Sequence, residues 1–289
     1  MSKSGVYTLT ARRLQNHYRN YFGHYSFRLQ RKLFSDKADK GGGFFDAYPR
    51  FYETSTIGPR NRLNKRYRAL IEPNREILRG KSVLDIASHD GRWSFAAHEA
   101  GARYVLGIEA REHLIKNAQD NMRAYHVPED QVEFMRGDVF DKLDQLEPGR
   151  FDTVFCLGFF YHTMHHMLLL NKIARLRPAH IVLDTSIDAD PDCVMALRSE
   201  PISMEGSGAV ADAGDPQRIL VGWPSRSALE LMLASAGFPS VRYYDWRRSG
   251  IRQWEELRDY YQGVRVSLVA ARKSGLQRSE SPVNEVIAA

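Results

Sequence analysis

Apolar positions along this chain fall in short runs that alternate with stretches of helical spacing. Val83, Leu84 and Ile86, broken by the single acid Asp85, read as a buried parallel strand ending in a tight turn. Residues 92–100 have helical spacing and Gly101 stops them; residues 104–108 form a second strand, closed by Glu109. Leu114, Ile115, Ala118, Met122 and Tyr125 recur at helical intervals, and third and fourth strands follow at 131–135 and 151–157. Beyond them the pattern predicts a helix near 164–176, a fifth strand at 180–184, a helix from Pro224-Ser225 to Ala236 with its stop at Gly237, and strands at 241–245 and 264–271. Strands and helices in this rhythm predict an α/β fold, a doubly wound and mostly parallel sheet.

The flanks read differently. Residues 9–34 carry Leu14, Tyr18, Tyr25, Leu29 and Leu33 at near-helical intervals, which predicts an N-terminal helical extension. S-D-K-A-D-K-G-G-G at 35–43 has the composition of a hinge. Phe44, Phe45, Tyr48, Phe51 and Tyr52 come next, then one helix over 60–79. The expected organisation is an extension or lid at 1–58, a main domain at 59–273 with a long insertion at 187–223, and a disordered tail at 274–289.

Composition narrows this picture. With 43% hydrophobic residues the chain can bury a full core. Cys156 and Cys193 form no C-x-x-C pair, and the reading is two free thiols in a reducing, cytoplasmic setting. No apolar run approaches the roughly 18 residues of a membrane span, and no signal peptide is expected. Residues 1–80 hold 17 Lys/Arg against 6 Asp/Glu, while the remainder is net acidic. Such asymmetry fits a nucleic-acid or anionic-surface contact as well as a solvated helix face.

Glu109 stands about twenty residues after the first turn, where an acid holds a ribose diol. The turn lacks G-x-G-x-x-G, having only Gly91 of the three glycines, which argues against a pyrophosphate site. The run D-I-A-S-H-D-G instead resembles motif I of the class I S-adenosylmethionine-dependent methyltransferases, D-x-G-x-G-x-G, with Ala87 and His89 at two glycine positions. The resemblance extends over about residues 60–272 and implies S-adenosylmethionine as cofactor and a seven-stranded sheet whose last strand is antiparallel. It further implies that Asp85 orients the loop and supports the methionine amine. By the same likeness Ala87 and Ser88 lie under the methionine portion with Asp90 and Gly91 in the same loop. Glu109 takes the ribose hydroxyls, Asp138 and Val139 hold the adenine, and Leu157 and Gly158 offer carbonyls to the amino group. Arg60, Arg62 or Arg66 would meet the cofactor carboxylate or an anionic acceptor; the alternative is a solvated face.

Transfer to a hydroxyl needs a base, and F-F-Y-H-T-M-H-H at 159–166 offers one at the carboxyl edge of the fourth strand. His162 and His166 are the candidates, with His165 and His166 expected on the same helix side as His162. Alternatives are a metal completed by Asp184 or Asp188, and histidines that merely cap or pack. No metal is assigned. Gly158, Tyr161 and His162 resemble the branch holding tRNA wobble-uridine methyl- and carboxymethyltransferases and many tailoring enzymes. The expected function is methyl transfer to an oxygen of a small-molecule acceptor, with the insertion as its cap. Transfer to tRNA, and a cofactor-binding protein without transfer, are the alternatives.

Overall fold

The computed structural model describes residues 42–54, 59–203, 206–211, 214–248 and 254–273. The helices expected at 9–34 and the tail expected at 274–289 lie outside these residues. In chain order the described elements are α1 (Arg50–Glu53), α2 (Arg60–Leu70), β1 (Ser82–Ile86), α3 (Arg92–Glu99), β2 (Tyr104–Glu109), α4 (Glu112–Ala124), β3 (Val132–Arg136), α5 (Val139–Asp144), β4 (Thr153–Leu157), α6 (His166–Arg175), β5 (His180–Ser186), β6 (Met195–Pro201), β7 (Arg218–Pro224), α7 (Arg226–Ser235), β8 (Ser240–Tyr243), α8 (Arg258–Tyr261) and β9 (Arg265–Ala271).

Among the described residues seven strands form one sheet, ordered β3-β2-β1-β4-β5-β9-β8. β1 to β5 pair in parallel, and β9 runs antiparallel between β5 and β8. This is the doubly wound sheet with an antiparallel last strand that the sequence leads one to expect. Alternation along each strand feeds two apolar layers. Leu84 and Ile86 join Leu106, Ile108, Leu169 and Ile173 on one face, while Val83 joins Val105, Phe95, Ala96 and Leu70 on the other. No helix among the described residues is long and apolar enough to cross a membrane.

The structure adds to the sequence reading at several points and corrects one helix. Phe45 and Phe51 are fully buried, and Phe44 stacks on Tyr67 with ring centroids 3.9 Å apart. Residues 43–54 therefore pack into the apolar core of the unit that runs from Gly43 onward. The single helix expected over 60–79 ends at Leu70. A tighter 3-10 turn at Glu72–Ile77 replaces it, with Pro73, which has no N–H to donate, near its start. The insertion at 187–223 contains an antiparallel hairpin, β6 with β7, in which Arg198 faces Val221 and Glu200 faces Ile219. Its strands alternate in burial: Glu200 and Val221 are buried while Leu197 and Leu220 are exposed. The helix α5 also went unanticipated; Asp138 caps it by accepting from the Phe140 N–H at 2.8 Å.

Candidate functional site

Strand order reverses between β1 and β4, so a crevice opens beyond their carboxyl ends. In the loop after β1, Ala87, His89 and Gly91 all take left-handed φ, +54°, +56° and +77°. These are the three glycine positions of the motif. The chain keeps the backbone path of the glycines with two residues that pay for it, at about 1–2 kcal/mol each. Gly91 cannot be exchanged in the same way, because a Cβ there would meet Phe134 Cζ at 2.8 Å. The Ser88 N–H donates to the Ile108 carbonyl at 2.9 Å. The His89 N–H donates to Glu109 Oε2 at 3.1 Å and the Arg111 N–H to Oε1 at 3.0 Å. Glu109 is thus buried and fixed, with lone pairs remaining on both oxygens.

Asp85 lies buried on β1, where its Oδ2 accepts from Ser94 Oγ at 2.7 Å. Burial pushes its carboxyl up to about 7. Asp90 turns inward, accepting from Arg92 Nε at 2.6 Å and Thr54 Oγ1 at 2.7 Å. Burial alone would raise its carboxyl, but the Arg92 guanidinium holds it well below the usual range. It ties the loop to α3 and to residue 54. The side chain of Val139 belongs to the apolar core, and Leu157 ends β4 with the Gly158 N–H donating to the Asp184 carbonyl at 2.9 Å. A loop with three left-handed residues in five, beside a buried glutamate anchored by backbone donors, fits an S-adenosyl group.

Across the crevice, His162 sits in a 3-10 turn, Phe160–His162, after β4. Its Nδ1 lies 2.6 Å from Glu200 Oε2 on β6, and both groups are buried. Burial works against the charged imidazole, but Tyr161 and the Glu200 carboxylate outweigh it and hold His162 above its ordinary 6.5. His166 is the first residue of α6, packed edge-on against Phe160 at 4.7 Å, and burial lowers it. The shared helix face expected for His162, His165 and His166 does not form. The helix begins only at His166, and the Thr163 carbonyl before it accepts from the Gly222 N–H of β7 at 3.1 Å.

Asp184, the supposed metal ligand, is committed elsewhere. It accepts from Arg66 Nη2 at 3.1 Å, Tyr260 Oη at 2.7 Å, Ser267 Oγ at 2.6 Å, and Arg265 Nε and Nη2 at 2.8 and 2.5 Å. Burial would raise this carboxyl, but Arg265 and Arg66 keep it ionised well below its usual range. Arg265 Nη2 stands 3.6 Å from where a Cβ on Gly158 would lie, so a fixed cation guards the end of β4. Of the three arginines considered on α2, Arg66 reaches this edge. Arg62 forks onto Asp259 at 2.8 and 2.5 Å, and Arg60 lies over the Tyr52 ring. On β6 and β7, Arg198 stacks on Trp223 at 3.9 Å, and Trp223 meets Tyr161 edge-on at 5.7 Å. Glu200, Trp223 and Arg265 were not foreseen. Glu200 is 38 residues from His162 and Arg265 is 81 from Asp184, and only the folded hairpin and last strand bring them in.

Comparison with known proteins agrees with this geometry. Residues 83–178 match the family model described as a methyltransferase domain. A tRNA U34 carboxymethyltransferase of Syntrophotalea carbinolica is 28% identical over 198 residues, covering 67% of this chain and 53% of the relative. One from Pseudomonas aeruginosa is 28% identical over 178 residues, covering 58% and 48%. The chain spans about half the length of the curated relatives it matches. Among solved structures, the N-terminal domain of EvdMO1 in the presence of SAH and D-fucose aligns with a TM-score of 0.54 at 21% identity, covering 74% of this chain and 84% of that one. The same domain with SAH bound aligns at 0.54 and 19% identity, covering 88% and 97%. Motif, strand order and matched domain agree: residues 83–178 form a methyltransferase domain, similar in motif and topology to those of the class I S-adenosylmethionine-dependent superfamily.

Proposed function

We propose that this chain transfers a methyl group from S-adenosylmethionine to an oxygen of a small-molecule acceptor bound beneath the β6–β7 hairpin, with His162 as general base. The observation that carries this reading is the buried contact of His162 Nδ1 with Glu200. The cofactor, when bound, supplies a methyl already activated on a sulfonium; an acceptor hydroxyl must still lose its proton. With Nδ1–H donating to Glu200, Nε2 keeps the lone pair that takes that proton, and the carboxylate stabilises the imidazolium that results. Glu109 would accept from the ribose hydroxyls, with Asp138 and Val139 bordering the adenine. The backbone at Ala87, Ser88 and Gly91 would hold the methionine portion, with Asp85, Asp90, Leu157 and Gly158 around it, and Arg66 would be the α2 arginine offered to its carboxylate. His166 packs rather than reacts.

A second reading places the acceptor oxygen on a tRNA nucleoside. The names of the relatives favour it, as does the basic character of residues 1–80. Transfer of labelled methyl into host extract, with and without nuclease, separates the two. Label in the nuclease-resistant small-molecule fraction is expected. Nuclease-sensitive label would move the acceptor to RNA, and no label despite calorimetric binding of S-adenosylhomocysteine would overturn transfer altogether.

A further inference from the structure

Arg111 is the residue just before α4 and two positions beyond the ribose acid, and it faces both ways. Its backbone N–H donates to Glu109 Oε1 at 3.0 Å. Its guanidinium Nη2 lies 3.3 Å from the Ile202 carbonyl oxygen and 3.1 Å from each of those of Ser207 and Gly208. All three acceptors belong to the connection between β6 and β7. A guanidinium is a planar, permanently charged donor, well suited to gathering several carbonyls that face one another.

Those grip points are placed to matter for the acceptor edge. Ile202 follows Pro201, the end of β6, and lies two residues from Glu200. Its N–H donates to the Gln217 carbonyl at 3.0 Å, which closes the ladder there. Gly208 packs so tightly on the histidine turn that a Cβ on it would come 3.2 Å from the His162 carbonyl oxygen. One grip thus sits beside the carboxylate of the dyad and the other against the backbone of its imidazole. Without the guanidinium these three main-chain carbonyls would lose their shared donor, and the hairpin end next to Glu200 would keep its tie to Thr163 through Gly222 but lose its link to the ribose acid.

We propose that Arg111 is a positioning residue that couples cofactor binding to assembly of the His162–Glu200 pair. A ribose held by Glu109 fixes the backbone of residues 109–111, and Arg111 passes that constraint to Ile202, Ser207 and Gly208. Because coupling is reciprocal, an assembled hairpin tightens the cofactor as well. The proposal rests on the reading of His162 as base, but its test does not.

Hydrogen exchange on the full chain, with and without S-adenosylhomocysteine, reads the coupling directly. In the unmodified protein the ligand should slow exchange of hairpin amides at 195–202 and 218–224 by about 5-fold or more, the low end of ordinary coupling between sites. Arg111→Ala should still bind the ligand by calorimetry yet lose that protection, and Arg111→Lys should restore part of it. As a second readout, the His162 imidazole, which faces Tyr161, Glu200 and Arg265, should titrate closer to 6.5 in Arg111→Ala than in the unmodified chain. Unchanged hairpin protection in Arg111→Ala, or none in the unmodified chain, overturns the proposal. So does loss of ligand binding in a normally melting Arg111→Ala, which would make Arg111 part of the cofactor site itself. Failure of the base is a separate event: His162→Gln retaining full transfer would refute the base and leave the exchange result standing.

Discussion

The two rims of the crevice are built on opposite plans. The cofactor rim is made largely of main chain within one strand-helix-strand unit, and its geometry survives with alanine and histidine where glycine is usual. The acceptor rim is made of side chains delivered by β4, β5, β6, β7 and β9, and each depends on its chemical identity. Main-chain geometry tolerates substitution and side-chain chemistry does not, so on the proposed reading the first rim serves the cofactor common to the superfamily and the second the acceptor.

The contrast is broken most severely at His162. His162→Gln should cut transfer by about 10²–10⁴-fold while leaving S-adenosylhomocysteine affinity unchanged by calorimetry. Full activity would make it a packing residue. Glu200→Gln sharpens the same point through pH. With Glu200 present, His162 is raised, so the base is free only at pH above its ordinary 6.5; removing that carboxylate should move the acidic limb of the rate profile to lower pH. Linkage gives the matching sign for stability. The pair contributes fully below the unfolded value and is lost as pH rises through the raised one, so Glu200→Gln should destabilise more at pH 6 than at pH 9.

A smaller effect is expected on the cofactor rim. Glu109→Ala should weaken S-adenosylhomocysteine binding by about 1.5–3 kcal/mol, the value of hydrogen bonds to a charged acceptor. An unchanged dissociation constant would place the ribose elsewhere. The smallest effect belongs to Ala87→Gly. It relieves a left-handed alanine at some cost in unfolded-chain entropy, for a net gain of about 0.5–1 kcal/mol. The melting temperature should rise by about 1–3 °C; a fall would mean that the loop carries no strain at Ala87.

The two plans also explain what could be read in the sequence. Val83 to Glu109 announces itself because period, turn and acid lie within one unit, and the sheet follows from repeating that unit. Phe45 and Phe51 were legible as aromatic but not as core, since their partners Phe95, Trp93 and Tyr125 lie on distant helices or just beyond them. The hairpin carries a period-two signal in Arg198, Glu200, Val221 and Trp223, hidden by the acids and glycines around it. No local pattern links Glu200 to His162, or Arg265 to Asp184; these are contacts of the tertiary fold alone.

The clasp on Asp184 has a consequence for how the chain is made. Arg265 leaves the ribosome 81 residues after the carboxylate it will pair with, and the antiparallel strand that carries it is the last of the sheet to be synthesised. Until then a charge destined for the interior lacks its principal cation, and burying it alone would be costly. The nascent β5 edge must therefore stay hydrated and open throughout that interval. Closure of that edge therefore waits for the last strand of the sheet, and a message truncated before Arg265 would leave the loop after β1 without the opposite rim of the crevice.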